Sequence, residues 1–407
     1  MMSSLMQEKQ GYKETAIGRI PEDWEVKTLS KIAKITMGQS PDSNYCNDTG
    51  NGIPFFQGNA DFGSKYPVTR YWTTQPTKKA FTNDVLMSVR APVGALNYSN
   101  LECCIGRGLC AIKAIKTTKE FIYYSLKHNM NRFNQLAQGS TFEAVNKADV
   151  YNFKIPTPPT QEQQKIAEIL SCVDDSIEKT DEIIKQAEEL KKGLMQELFT
   201  KGLGHTDFQE TKIGTIPKDW EIKQFKDVSK VNQGLQIAIS ERHKEKKANR
   251  HIYITIQYLN TLKNPEYVEN PLSSVMCNKD DVLMTRTGNT GIVITNVEGV
   301  FHNNFFKIDF DRGILNKDFL VYYLRRPKLK DLLLAYAGST TIPDLNHGDF
   351  YAIPVVLPKI EEQQKIAEIL SGVDKKIETE RNYKTELEEL KKGIMQDLLT
   401  GKRRVKV

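Results

Sequence analysis

Acidic residues placed to hold a catalytic metal are the first chemistry to test. Glu25-x-Lys27 follows Pro21 and Asp23, and Glu221-x-Lys223 follows Pro217 and Asp219. A metal-dependent nuclease takes its paired carboxylates from neighbouring strands. Here they lie two residues apart on one expected strand, so the spacing argues against a nuclease centre. Asn264-Pro265-Glu266-Tyr267 lacks the second proline of the NPPY pocket of adenine methyltransferases, and no glycine-rich strand–turn–helix precedes it. A turn is the better account. Gly106-x-Gly108 lacks the third glycine of a dinucleotide loop, and there is no P-loop. The six histidines form no i,i+4 pair, and the six cysteines no pair at zinc spacing, so no metal site is expected. Those cysteines read as reduced thiols of a cytoplasmic protein. What remains is binding chemistry.

The elements that position such residues are duplicated. EQQKIAEILS at 162–171 recurs unchanged at 362–371, and LKKGLMQELFT at 190–200 recurs as LKKGIMQDLLT at 390–400. IGRIPEDWEVK at 17–27 recurs as IGTIPKDWEIK at 213–223, NDVLMSVR at 83–90 as DDVLMTRT at 280–287, and AQGST at 137–141 as YAGST at 336–340. Between these anchors the halves diverge: GNADFGSKYPVTRYW at 58–72 has no visible counterpart. A repeated frame carries two different surfaces. Two copies are too few for a solenoid.

The segments near 160–201 and 359–400 predict long helices. One apolar stripe runs through Ile166, Leu170, Val173, Ile177, Ile184, Leu190, Leu194 and Leu198. The other runs through Ile366, Leu370, Val373, Ile377, Leu387, Leu390, Ile394 and Leu398. Spacings of three and four give one apolar face per helix. Thr160 with Gln163 fits a capping box, and Gly202 and Gly401 fit helix stops. Forty helical residues span about 60 Å, and such a helix needs a partner. An antiparallel coiled coil of the two copies supplies it.

The remaining segments alternate short strands, Gly/Pro/Asn turns and one helical stretch each. The expected fold class is α/β (α+β): two mixed domains separated by two long antiparallel helices, with a pseudo-twofold repeat. The boundaries are a domain over 1–159, a helix over 160–201, a linker over 202–212, a domain over 213–358, a helix over 359–400 and a basic tail over 401–407. Trp24 and Trp220 are expected core anchors. The net charge of +6 is unevenly divided. The helical segments carry −4 and −2, leaving +12 on the rest, the footprint of a polyanion binder. No run of 18 apolar residues predicts a membrane span, and MMSSLMQEKQ has no apolar core of a secretory signal.

This arrangement resembles the specificity subunit of type I restriction–modification enzymes. IPxDWE at each domain start, the GST loop and PxxxEQQKIAEIL leading into the helix carry the resemblance over about 12–402. The family's repeated tetrapeptide at mid-helix is not evident; AEELKK at 187–192 and LEELKK at 387–392 come nearest. The resemblance implies a non-catalytic chain. Each target recognition domain would read one half of a split site on double-stranded DNA, and the helices would set the spacer. Two methyltransferase subunits would dock along the helices and the repeated frame, and motor/endonuclease subunits would complete the complex. S-adenosylmethionine, ATP and Mg²⁺ would sit on those partners, with no cofactor on this chain. The competing readings are a standalone methyltransferase or nuclease, or a coiled-coil adaptor without DNA binding.

Bases are read by Arg, Lys, Asn, Gln, Ser and Thr on loops. In the first domain the candidates are Gln39, Ser40, Gln57, Asn59, Lys78, Lys79, Arg90, Arg107, Ser140 and Thr141. In the second they are Gln236, Arg250, Gln257, Arg286, Asn289, His302, Asn303, Ser339 and Thr340. Arg90 and Arg286 lead, because each follows the matching DVLM strand.

Overall fold

The structure is a computed structural model that describes residues 6–7, 11–138, 144–338 and 344–406. Its contacts divide the chain into two units, residues 1–182 with 381–407, and residues 183–380. Each unit therefore holds one mixed domain and half of each long helix. The helices run Thr160–Leu198 and Ile360–Leu399. The strand Phe208–Thr211 pairs with Gly214–Pro217, so the stretch expected as linker already contributes a hairpin to the second domain. Its counterpart pairs Tyr12–Thr15 with Gly18–Pro21.

The first unit contains a four-stranded antiparallel sheet in the order Leu96–Tyr98, Val85–Ser88, Leu109–Ala114, Ala33–Met37. A five-stranded sheet runs Cys46–Asn47, Tyr71–Thr73, Ile53–Phe56, Cys103–Ile105, Lys79–Ala80, with one parallel pair, Ile53–Phe56 beside Cys103–Ile105. The second unit repeats both sheets. Ser229–Gln233, Phe305–Phe310, Val282–Thr285 and Val293–Ile294 form the first. Arg242–His243, Tyr267–Glu269, Arg250–Ile254, Gly299–Phe301 and Met276–Cys277 form the second. The DVLM strands are buried on both faces, as their unbroken apolar run requires.

The core of the first unit joins Trp24, Ile112 and Phe121 to Ile166, Leu170 and Val173 of one helix and Ile394 and Leu398 of the other. The core of the second joins Trp220, Phe306 and Phe319 to Leu198, Ile366 and Leu370. The helices are antiparallel. In the first unit Asp174 pairs with Lys391 and Asp181 with Lys384, a step of seven residues in opposite directions. In the second, Lys191 lies 2.6 Å from Asp374. Most of the expected stripe is buried or half-buried, including Ile177, Ile184, Leu194, Val373, Ile377 and Leu387. Leu190 and Leu390 are corrections, at 56% and 42% exposure. The seam's four–three–four spacing passes through Leu387, Lys391, Ile394 and Leu398, so Lys391 takes the buried position. Its ammonium stays compensated by Asp174, which also accepts a 2.8 Å hydrogen bond from the Tyr124 hydroxyl. Asp374 accepts the equivalent bond from Tyr322.

The expected capping box is also corrected. Gln163 is buried and donates from Nε2 to the Pro158 carbonyl, and Gln363 makes the same bond to Pro358. Gly202 and Gly401 do follow the helix ends, at φ +62° and +72°, where a side chain would be strained.

Trp24 and Trp220 are buried, and each indole N–H donates to a helix glutamate at 3.1 Å, Trp24 to Glu162 and Trp220 to Glu362. In the first unit Arg404 donates to Glu162 at 2.6 and 2.5 Å and to Asp23 at 2.8 and 2.9 Å. Tail strand Arg404–Val405 pairs with Met6–Gln7. Arg404 is thus a buried clasp, not part of a free basic tail. In the second unit His205 fills its place, with Nε2 2.9 Å from Glu362 and Nδ1 3.1 Å from Asp219.

Candidate nucleic-acid interface

In the first unit three turns converge at one end of the sheets. Gly38 and Gln39 follow the strand Ala33–Met37, and their amides donate to the carbonyls of Leu109 and Ile105. The Gly106 and Gly108 amides donate to Phe56 and Gln57. The Ser40 hydroxyl accepts from the Arg107 amide at 3.3 Å. This approach is too close for side chains: a Cβ on Gly38 would lie 2.1 Å from the Gly106 carbonyl oxygen. The turns bring Gln39, Ser40, Gln57 and Arg107 together. Lys78 joins them, because its carbonyl accepts from the Ile105 amide and the neighbouring Thr77 hydroxyl donates to the Gln39 carbonyl. Asn59 opens the following 3-10 turn, held by buried Asp61, whose carboxylate accepts from the Gln57 amide at 2.7 Å. Arg90 is tied to the same place, because the Val89 amide donates to the Gly108 carbonyl. Its side chain is exposed and has no acidic partner among the described residues. Lys79 is different: it sits on a strand and pairs with Glu102 at 2.8 Å.

The second unit repeats the frame with other side chains. The Gly234 amide donates to Phe305, Leu235 to Phe301 and His302 to Ile254. A Cβ on Gly234 would lie 2.2 Å from the Phe301 carbonyl oxygen. Gln236, His302 and Asn303 gather here, and the Arg286 amide reaches the Asn304 carbonyl. Tyr253 fixes the turn, donating to the Leu235 carbonyl and accepting from the Ile237 amide, both at 2.9 Å. His302 accepts from the Asn304 amide at Nδ1, so its proton sits on Nε2. Burial, then Arg242, lower its pKa and favour that neutral ring. The Asn303 side-chain oxygen is buried without a donor among the described residues. Gln257 is exposed on a short helix just beyond this turn, and Asn289 is exposed on the loop after Arg286.

Two arginines are not free to read. Arg286 forms a bidentate pair with Asp344 at 3.1 and 2.8 Å, where the first unit has Ala144. Arg250 lies at the far end of its strand, 2.8 Å from Glu269. Ser140, Thr141, Ser339 and Thr340 lie outside the described residues. Sequence reasoning missed Tyr253, Asp61 and Asp344, whose roles depend on distant partners. It also passed over the exposed Lys244, Lys246 and Lys247, which the KEKK run signalled.

With three cationic side chains, Lys78, Arg90 and Arg107, exposed beside amide-bearing turns, the first unit offers donors for phosphates and base edges. No cluster of three or more metal-ligating side chains occurs among the described residues, and no described helix is long and apolar enough to cross a membrane.

Comparison with known proteins gives a consistent picture. The family model described as "Type I restriction modification DNA specificity domain" matches twice, at residues 21–189 and 217–389. The MjaVIII specificity subunit of a type I restriction enzyme of Methanocaldococcus jannaschii is 27% identical over 98% of this chain and 97% of its own. The putative MjaX specificity subunit of that organism is 43% identical, over 47% of this chain and 46% of its own length. Among solved structures, the type I restriction-modification S subunit of M. genitalium superposes with a TM-score of 0.60 at 18% identity, covering 92% of this chain and 96% of that one.

Proposed function

Since the chain belongs to the type I restriction–modification DNA specificity family, we propose that its two domains read the two halves of a split DNA site. The chain is a non-catalytic DNA-recognition subunit that works in a complex with other restriction–modification subunits and DNA. The finer division is our reading: one half-site per domain, the helix pair setting the spacer, and two methyltransferase subunits plus motor/endonuclease subunits as partners in the cytoplasm. S-adenosylmethionine, ATP and Mg²⁺ belong to those partners. One observation carries this reading. The family match falls once on each repeat, and each repeat presents the same turn frame with different side chains.

Gln39, Ser40, Gln57, Arg90 and Arg107 are the leading contacts in the first domain, and Gln236, His302 and Asn303 in the second. The test is long-read mapping of modified adenines in cells with the methyltransferase partner, with and without this chain. We expect a split motif that disappears on deletion. Exchanging residues 208–358 for the second domain of a relative should alter one half of that motif. Identical methylation with and without the chain, together with no DNA binding by the purified methyltransferase complex, would overturn the proposal.

A further inference from the structure

The second unit carries a groove of about 1480 Å³ that the DNA reading does not use. It lies between the hairpin after the first long helix, the strand Glu221–Gln224 and the helix Pro327–Tyr336. None of the turns at 234–237, 286–289 or 302–304 lines it. Its lining is strongly cationic: Lys201, Lys212, Lys223, Lys226, Lys328 and Arg326, against the single carboxylate of Asp227. Lys201 and Lys223 have exposed local partners, Glu197 and Glu221. Lys212, Lys226 and Lys328 have no acidic partner among the described residues. Arg326 is largely buried, stacked 4.0 Å over Tyr323 and 5.0 Å over Phe199, again with no carboxylate among the described residues. The walls are also apolar, with Leu329 and Leu332 inside and Ile222 and Tyr336 exposed at 43% and 40%.

This combination selects its occupant. The volume exceeds the roughly 300–1,000 Å³ of small-molecule sites. A DNA backbone would satisfy the lysines but leave Ile222 and Tyr336 against a polar strand. An acidic amphipathic polypeptide segment satisfies both, its carboxylates on the lysine rim and its apolar side on those walls. The rim is not part of the repeated frame, because Ala16 and Ser30 stand at the positions of Lys212 and Lys226 in the first repeat. Resting on the reading of the chain as a subunit that assembles with methyltransferase subunits, we propose that this groove docks an acidic amphipathic segment of one methyltransferase subunit. The two methyltransferase positions are consequently unequal, the one at the second unit being tighter and more salt-sensitive.

The experiment titrates the full chain with the methyltransferase subunit of its own system, by calorimetry and native mass spectrometry at low and high salt. Wild type should bind two copies in two unequal steps. Lys212→Glu with Lys226→Glu and Lys328→Glu should weaken the tighter step by about tenfold or more and flatten its salt dependence, leaving the other step unchanged. The matching lysine-to-glutamine variant should lose less, and its melting temperature should equal that of wild type. Carbodiimide cross-linking of the wild-type complex should join these lysines to carboxylates of the methyltransferase. Two unchanged steps and no such cross-links would overturn the groove assignment while leaving the subunit reading intact. Unchanged steps with reduced DNA affinity would assign the groove to DNA instead. A wild-type chain that binds no methyltransferase would overturn the subunit reading itself.

Discussion

Arg90 and Arg286 follow the same strand in the two repeats one position apart: Arg90 stands where the second repeat has Thr287, and Arg286 where the first has Val89. Asp344 holds the Arg286 guanidinium in a fork, while the Arg90 side chain is exposed and has no acidic partner among the described residues. Arg90→Ala should therefore cost the methyltransferase complex about 1–3 kcal/mol of specific DNA binding if it reads a base. If Arg90 contacts a phosphate, the loss should be uniform across sequences, with a salt slope lower by about 1. Arg286→Ala should weaken DNA binding less than Arg90→Ala in the same fluorescence-anisotropy titration. Equal losses would contradict this distinction. Residue types and loop positions made the turn residues Gln39, Gln57 and Arg107 legible in the sequence. They could not reveal Asp344, because a partner 58 positions away leaves no local pattern.

At the scale of elements, the helix pair was legible to within a few residues, because a four–three apolar repeat is a strong signal. It misassigned Leu190 and Leu390 because apolarity was followed where spacing required the next residue. Lys391 occupies the seam, and a second ammonium, Lys127, lies near it. Burial, then repulsion from Lys391, hold Lys127 down at about 8, with Asp174 opposing the shift. The folded state therefore binds fewer protons at this site than the unfolded chain between about pH 8 and the ordinary lysine value. Stability should rise with pH across that window, and charged Lys127 is a constant cost below it. Lys127→Met should raise the melting temperature at pH 7, with the gain shrinking as pH approaches 10. A gain that is the same at both pH values would refute the charge argument. The clasp is the other element-scale feature. Arg404→Ala should destabilise the first unit by about 3–5 kcal/mol in urea denaturation, since it leaves the Glu162 carboxylate buried without its cation.

For the molecule as a whole, the duplication fixed the main architecture: two mixed domains, two long helices, one frame used twice. What the repeat concealed is how the units are assembled. Each domain is completed by both helices, and the segment after each helix returns a nitrogen-bearing side chain to an Asp-Trp pair: Arg404 to Asp23 and Trp24, His205 to Asp219 and Trp220. The clasp was illegible because Arg404 and Glu162 are 242 positions apart and neither lies in a recognisable motif with the other. Its position also has a meaning in time. The first domain emerges first from the ribosome, yet residues 381–406 that close its core come after the entire second unit. At ~5–20 residues per second, that domain waits roughly 10–45 s for Arg404. During synthesis the early domain is the late folder, and a chain released before Arg404 carries a first domain that is still unclosed.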